Sequence, residues 1–248
     1  MIKIGIFGRM KKIHLLLTGL SVTILLLSLN RFTSFTLSYL QPYDFLRWLD
    51  FNAMIPIPLL SILLYYFLLR EVTYESSFKK TKLYIFLFTL FTVGVYLFGA
   101  SSGNHEVTNY LNTRFCERGT IDSPLCNIIA YNDDEFSHLI YYLGFVFMNV
   151  VLLLMEYNMP RKKGMVKKDY IFVSLNALFI GLGIFANLAF EEIGIDLYVF
   201  GFLMVLSLYL LYSKKVVSKF PITYYFAVSY TIGVVGTSIF KLISNLQV

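Results

Sequence analysis

The sequence has few charged residues, and none of them falls within its longest apolar runs. Lys, Arg, Asp and Glu make up 15% of the 248 residues, whereas about 25% is usual in soluble domains. Seven stretches of 17 or more residues lack all four types: 13–29, 53–69, 83–100, 137–155, 170–190, 197–213 and 221–240. A helix that crosses a bilayer needs about 20 mostly apolar residues, with about 17 as the lower limit. We therefore predict an all-α, polytopic membrane protein with seven transmembrane helices.

The unbroken character of these runs excludes a membrane-spanning β-barrel. Only helices and closed barrels satisfy their backbone hydrogen bonds in lipid, and barrel strands are about 10 residues long with alternating polarity. The sequence also lacks internal repeats, low-complexity tracts and any linker that would divide it. We therefore interpret residues 1–248 as a single transmembrane domain, with an ordered extracytoplasmic loop at about 101–136.

The charges that are present are sorted by sign from loop to loop. The segment before the first run and the loops 70–82, 156–169 and 214–220 together hold 16 of the 21 Lys and Arg residues. These segments define the basic side of the protein, and the opposite, acidic side holds eleven of the 15 acids. Because Lys and Arg concentrate in cytoplasmic loops, we predict a multi-pass protein of the cell membrane with a cytoplasmic N-terminus and a C-terminus outside.

The net charge of +6 and the pI of about 9.1 do not indicate a nucleic-acid partner. Nucleic-acid binding requires a folded basic surface, and the basic residues here stand in short loops between apolar runs. The partners that we expect are membrane lipids, including anionic head groups beside the basic loops.

Only two cysteines are present, Cys116 and Cys126, and they lack the C-x-x-C spacing of a redox motif. Gly119 and Pro124 lie between them and permit a turn. Disulfides persist on the oxidising side of a membrane, which is where the charge pattern places this loop. We predict a Cys116–Cys126 disulfide, which would contribute about 2–3 kcal/mol on the chain-entropy model.

Two of the three histidines flank the same outer loop, and acids accompany both. On a regular helix, Asp134 and His138 are one turn apart and project from the same face. Two imidazoles and a carboxylate suit a divalent metal such as zinc, which would activate a bound water. The predicted metal ligands are His105, Asp134 and His138. The predicted catalytic residues are Glu106 and Asp133, either of which would act as the general base.

Structural interpretations of these residues remain open. The segment that begins His105-Glu106 has Asn109 where the zinc-protease motif H-E-x-x-H has its second histidine. The acids before His138 would also stabilise the positive end of a helix dipole. The sequence 99–103 matches the pattern G-x-S-x-G, but that motif belongs to a strand-to-helix turn, so we expect only a flexible helix exit there.

Three functions fit a protein of this kind. The first is a metal-dependent enzyme that acts on a lipid or lipid-linked substrate at the extracytoplasmic interface. The second is a non-catalytic membrane partner, such as an assembly factor, an immunity protein or a sensor. The third, a transporter of neutral solutes, is favoured least, because no ionisable residue interrupts the apolar runs and such residues mark most ion routes.

Local sequence features also predict a helix break, an interfacial helix and a close helix–helix contact. Pro56 and Pro58 predict a kink or a late helix start, since each removes a backbone donor. The segment 42–51 predicts a short interfacial helix anchored by Trp48. The small and amide residues of the runs 170–190 and 221–240 favour close packing of helices, with amides bridging the contact.

Overall fold

The computed structural model describes residues 7–74, 77–190, 194–214 and 216–245. The structure is 86% helical, and no strand forms within those ranges. The α-helices are α1 (Phe7–Phe32), α2 (Trp48–Met54), α3 (Pro56–Val72), α4 (Lys82–Phe115), α5 (Pro124–Tyr131), α6 (Ser137–Asn158), α7 (Lys167–Phe190), α8 (Ile195–Lys214) and α9 (Pro221–Asn245).

Within these described ranges, seven helical segments are long and apolar enough to cross a membrane. Five of them are formed by α1, α4, α7, α8 and α9. The second span joins α2 to α3, and the fourth joins α5 to α6 through a π-helical turn, Asn132–Phe136. The predicted all-α fold with seven spans is therefore confirmed. The orientation of the termini stays a prediction. The terminal residues Met1 and Val248 lie outside the described residues, and so do Lys3 and Lys215, two of the basic residues on which the predicted orientation is based.

The second span is interrupted where the prolines predicted it. α2 ends at Met54 and α3 begins at Pro56. The predicted interfacial helix over 42–51 is wrong, because the helix starts only at Trp48 and leads into the span. Asp50 sets this start, since its carboxylate accepts a hydrogen bond from the backbone N–H of Arg47 at 3.1 Å and thereby satisfies a donor at the helix end.

Several helices continue beyond the apolar runs from which they were predicted. α4 extends 15 residues beyond position 100, so most of the segment 101–136 is helix rather than loop. Only residues 116–123 separate α4 from α5, and the predicted disulfide is present there, with Cα atoms of Cys116 and Cys126 5.5 Å apart. The helix extensions carry ionisable residues, among them Glu106 and Glu156, into the candidate spans.

Two compact units make up the chain. The first unit comprises Met1–Ser21, Leu64–Thr89 and Asn149–Val248, and the second comprises Val22–Leu63 and Leu90–Met148. In the first unit, α7 and α9 approach closely: a Cβ added to Gly181 would lie 2.8 Å from the Cβ of Ile232. This confirms the close packing expected from their small residues. An amide also bridges helices here, because Asn149 on α6 accepts hydrogen bonds from Tyr65 and Tyr230.

In the second unit, α4 and α6 meet at glycines. A Cβ added to Gly144 on α6 would lie 2.6 Å from the backbone nitrogen of Phe98 and 2.7 Å from the carbonyl oxygen of Gly94. These two helices are therefore neighbours, with backbones close enough for short side chains to bridge them. This contact positions the candidate site.

Candidate functional site

α4 carries candidate site residues beyond its apolar part. A 34-residue helix is about 50 Å long, whereas the hydrocarbon core of a bilayer is about 30 Å thick. The run 83–100 is long enough to fill most of that core by itself. We therefore expect residues 101–115 to lie among the lipid head groups on the acidic side.

The π-helical turn Asn132–Phe136 determines which acid contacts α4. A π turn contains one residue more than an α turn, so it rotates the residues before it relative to those after it. Asp133 is only 2% exposed, whereas Asp134 is exposed. The expectation that Asp134 would face inward with His138 assumed a regular helix. The extra residue turns Asp133 inward instead.

His105 on α4 is paired with Asp133. Its Nδ1 atom lies 3.0 Å from Asp133 Oδ1 and 3.2 Å from the backbone carbonyl oxygen of the same residue. Nδ1 donates its proton to the backbone carbonyl oxygen, whereas Oδ1 is a close ionic neighbour that accepts no hydrogen bond from the described residues. Nε2 is then the basic nitrogen of the neutral ring. A carboxylate placed against Nδ1 is the arrangement that holds a general-base histidine in one tautomer and one orientation.

Two amides hold the other carboxylate oxygen of Asp133. The side-chain nitrogens of Asn109 and Asn112 each donate to Asp133 Oδ2 at 3.4 Å. His105, Asn109 and Asn112 stand at positions i, i+4 and i+7 of α4, and therefore share one helix face. The sequence contains this signal as polar residues at helical spacing, whereas the comparison with the zinc-protease motif involves only His105 and Asn109.

Serine and asparagine side chains of α4 form hydrogen bonds with the start of α6. Ser101 donates to the carbonyl oxygen of Ser137 at 2.5 Å, and Asn104 donates to the hydroxyl oxygen of Ser137 at 2.7 Å. Ser102 donates to the carbonyl oxygen of Phe98 at 2.9 Å. The G-x-S-x-G pattern at 99–103 thus lies inside a continuous helix, not at the expected helix exit, and both of its serines serve as backbone-directed donors.

His138 completes a pair of imidazoles. The ring centroids of His105 and His138 are 5.0 Å apart, with the planes inclined at 45°. Asp134 interacts electrostatically with both histidines. Because His138 and Asp134 are exposed, this edge of the cluster is accessible from outside the protein.

Glu106 lies beside the histidine pair but does not share the direction of His105. Successive residues on a helix project about 100° apart, and Glu106 is buried, with 8% of its surface exposed. Its carboxylate interacts electrostatically with His105, Arg31 and Asp50. Glu106 therefore joins the histidine cluster to a second group of charges that the sequence analysis did not identify.

This second group is centred on the fully buried Asp50. Arg47 binds its carboxylate with two hydrogen bonds, Nη2 to Oδ1 at 2.7 Å and Nε to Oδ2 at 2.8 Å. Hydrogen bonding to Asp50 raises the pKa of Arg47 above its ordinary value. Such a bidentate pair is rigid and charge-assisted. The Arg47–Asp50 pair is therefore a rigid neighbour of Glu106 in the cluster.

The predicted metal ligands are only partly brought together. His105 and His138 are adjacent, but across the ranges that the structure describes, no group of three or more His, Cys, Asp and Glu side chains is arranged to hold a metal ion. Because Asp133 occupies Nδ1 of His105, only Nε2 of that residue remains as a ligand atom. The geometry therefore fits proton transfer by the histidines better than a complete metal site.

Comparison with known proteins adds no family to these observations. No protein-family model matches the chain, and neither a curated protein nor a solved structure matches it. Proposals about its function therefore rest on the residues of the cluster, namely His105, Glu106, Asp133, Asp134 and His138.

Proposed function

We propose that the histidine cluster is the active site of a membrane enzyme that hydrolyses an ester bond in a lipid or lipid-linked substrate on the acidic side. The observation that carries this proposal is the pairing of His105 Nδ1 with Asp133 Oδ1 at 3.0 Å, which leaves Nε2 as the basic nitrogen.

His105 acts as the general base. Nε2 removes a proton from a water molecule while the water oxygen forms a bond to the carbonyl carbon or phosphorus of the ester. The side chain of Asp133, 3.0 Å from Nδ1, stabilises the imidazolium that results. The amides of Asn109 and Asn112 keep the carboxylate oriented during this step.

His138 acts as the general acid. As the ester bond breaks, its imidazolium donates a proton to the leaving oxygen. The turnover leaves His105 protonated and His138 neutral, and solvent water returns a proton from His105 to His138 before the next one. Asp134, which interacts with both rings, favours the protonated form that His138 needs. Glu106 has a supporting role: its buried carboxylate favours the positive charge that develops on His105.

The position of the cluster supports a substrate with a lipid anchor. His105 follows the apolar run of α4 by five residues, which places it about 8 Å further along the helix. A soluble substrate would have no need of a site at that depth, whereas a lipid presents its ester bonds there. Such a substrate would reach the cluster from the surrounding lipid through the exposed edge formed by His138 and Asp134.

The test is lipid turnover by the purified protein. Wild type is reconstituted into vesicles made from the total lipid extract of the cells that express it, and the lipids are followed by mass spectrometry. We expect at least one lipid class to be hydrolysed, and His105→Gln to reduce the rate by about 10²-fold or more. Asp133→Asn should also reduce it strongly, because the amide favours the wrong tautomer of His105.

His14→Gln is the matched control. His14 also pairs with an aspartate, Asp169, at 2.8 Å, but this pair belongs to the first unit, so its loss should leave the rate unchanged. Identical lipid profiles for wild type and His105→Gln would refute the enzymatic proposal and favour a non-catalytic partner. Loss of wild-type turnover on treatment with a chelator, restored by zinc, would replace the metal-free mechanism with the metal-dependent one.

A further inference from the structure

A groove on the first unit runs between the first turns of α7 and the middle of α9. It is an open surface groove with a volume of about 430 Å³, and its lining is almost entirely apolar. The residues that line it are Tyr170, Ile171, Ser174, Leu175, Leu178, Val228 and Ile232. Its length along α7, from Tyr170 to Leu178, is about 12 Å, and an acyl chain is the natural occupant of such a groove on a membrane-spanning helix.

The basic end of this groove carries positive charge on the same helix face. Lys167, the first residue of α7, precedes Ile171 by four residues, and Ile171 precedes Leu175 and Leu178 by four and seven. Residues at these spacings form one stripe along a helix. Lys167 is exposed, so its ammonium group is available above the apolar part of the stripe.

Neighbouring groups keep this end of the groove positive. Lys168 is also exposed, and its ammonium group lies 5.7 Å from the ring centroid of Phe172. Asp169 is the nearest acid in the sequence, but it is engaged by His14 at 2.8 Å. The loop before α7 adds Lys162 and Lys163, both exposed, and is held in place by backbone hydrogen bonds to Ser218 and Lys219.

The one serine that lines the groove, Ser174, is paired with the hydroxyl group of Tyr224. The Ser174 and Tyr224 oxygens are 2.9 Å apart, and Tyr170 packs edge-on against Tyr224. Each hydroxyl has one hydrogen, and the bond between them uses only one. Ser174 lines the groove two turns after Lys167, at about the depth where the glycerol ester carbonyls of a phospholipid would lie.

We propose that a single anionic phospholipid binds here, with its phosphate at Lys167 and one acyl chain in the groove between α7 and α9. The site is independent of the proposed enzymatic activity. The site combines positive charge at the basic end, the polar Ser174 hydroxyl at about the depth of the ester groups, and the apolar remainder of the groove.

Native mass spectrometry of the purified, delipidated protein tests the proposal, with phosphatidylglycerol and phosphatidylcholine titrated separately. We expect the first phosphatidylglycerol to bind at least fivefold more tightly than phosphatidylcholine. Lys167→Gln should weaken phosphatidylglycerol binding by roughly fivefold, as expected for one basic residue at a membrane surface. Leu175→Trp, which fills the groove, should abolish tight binding of the first lipid.

Two matched variants separate this site from general lipid affinity. Lys79→Gln removes one exposed charge from another loop of the basic side, and Leu182→Trp adds the same bulk to α7 two turns beyond Leu175, at a residue that does not line the groove. Both should bind phosphatidylglycerol as wild type does. Equal losses in the test and control variants, or a lack of preference between the two lipids, would overturn the proposal. Thermal melting of every variant distinguishes lost binding from lost folding.

Discussion

A β-carbon added to Gly144 would lie 2.7 Å from the carbonyl oxygen of Gly94, so α6 and α4 touch backbone to backbone. The obstructing atoms belong to the main chain, and a side chain cannot rotate out of the way. The two helices therefore keep one separation, and the polar side chains that bridge them further along, including His105 and Asp133, depend on it.

Gly144→Ala should reduce the free energy of unfolding by about 1–3 kcal/mol, the usual cost of overpacking. The measurement is thermal or denaturant unfolding in detergent. Gly103→Ala on α4 is the control, because its added Cβ meets no atom of the described chain within 4 Å. Alanine should be neutral or slightly stabilising there. Equal stabilities for the two variants would contradict the backbone contact.

Glu156→Ala should destabilise the first unit by about 2–3 kcal/mol, because the side chain accepts three buried hydrogen bonds at the start of α9. Its oxygens bond the backbone nitrogens of Ile222 at 3.1 Å and Thr223 at 2.7 Å, and the Thr223 hydroxyl at 2.8 Å. Glu156→Gln retains one acceptor oxygen and should lose about half as much in the same unfolding measurement. Glu135→Ala, at an exposed acid, should change stability by less than about 0.5 kcal/mol. A Glu156→Ala protein as stable as this control would show that the helix end has another cap.

Neither cysteine should react with a thiol reagent in the native, unreduced protein. Both should react after reduction in denaturant. Removal of the pair by Cys116→Ser with Cys126→Ser should cost about 2–3 kcal/mol, since a bridge of sequence separation 10 restricts the unfolded chain by about that much. Labelling of either residue before reduction would show that the bridge does not form in the cell membrane.

The distribution of Lys and Arg predicts that a reporter fused after Tyr212 will be cytoplasmic and a reporter fused after Val248 will be outside. Activity of enzymes that work on only one side of the membrane provides the measurement. If both reporters are found on the same side, the α9 segment does not cross the membrane. An exchange of the two locations would reverse the orientation and move the histidine cluster to the cytoplasmic face.

The spans and the disulfide could be predicted from sequence because each depends on a local pattern. Unbroken apolar runs are sufficient for a membrane helix, and two cysteines separated by Gly119 and Pro124 can form a bridge only with each other. The Pro56 break also followed from a single residue property, the missing backbone donor.

The cluster could be predicted only in outline. His105 and His138 were expected near one another because they flank the same outer loop, and the ring separation of 5.0 Å agrees with that expectation. The choice of Asp133 over Asp134 depends on a π turn, which has no signature in these residues. Arg47 and Asp50 were missed because they were interpreted as parts of an interfacial helix, whereas their mutual hydrogen bonds begin a spanning one.

Because α4 is longer than the bilayer core is thick, the depth of the histidine cluster in the membrane depends on the thickness of the bilayer. The helix has a fixed rise, so the depth of His105 depends on where the apolar run 83–100 settles in the lipid. A thicker membrane would draw the imidazoles into hydrocarbon, where their protonated forms are penalised, and a thinner one would lift them into water. The surrounding lipid would then tune the chemistry of this protein without binding to any pocket.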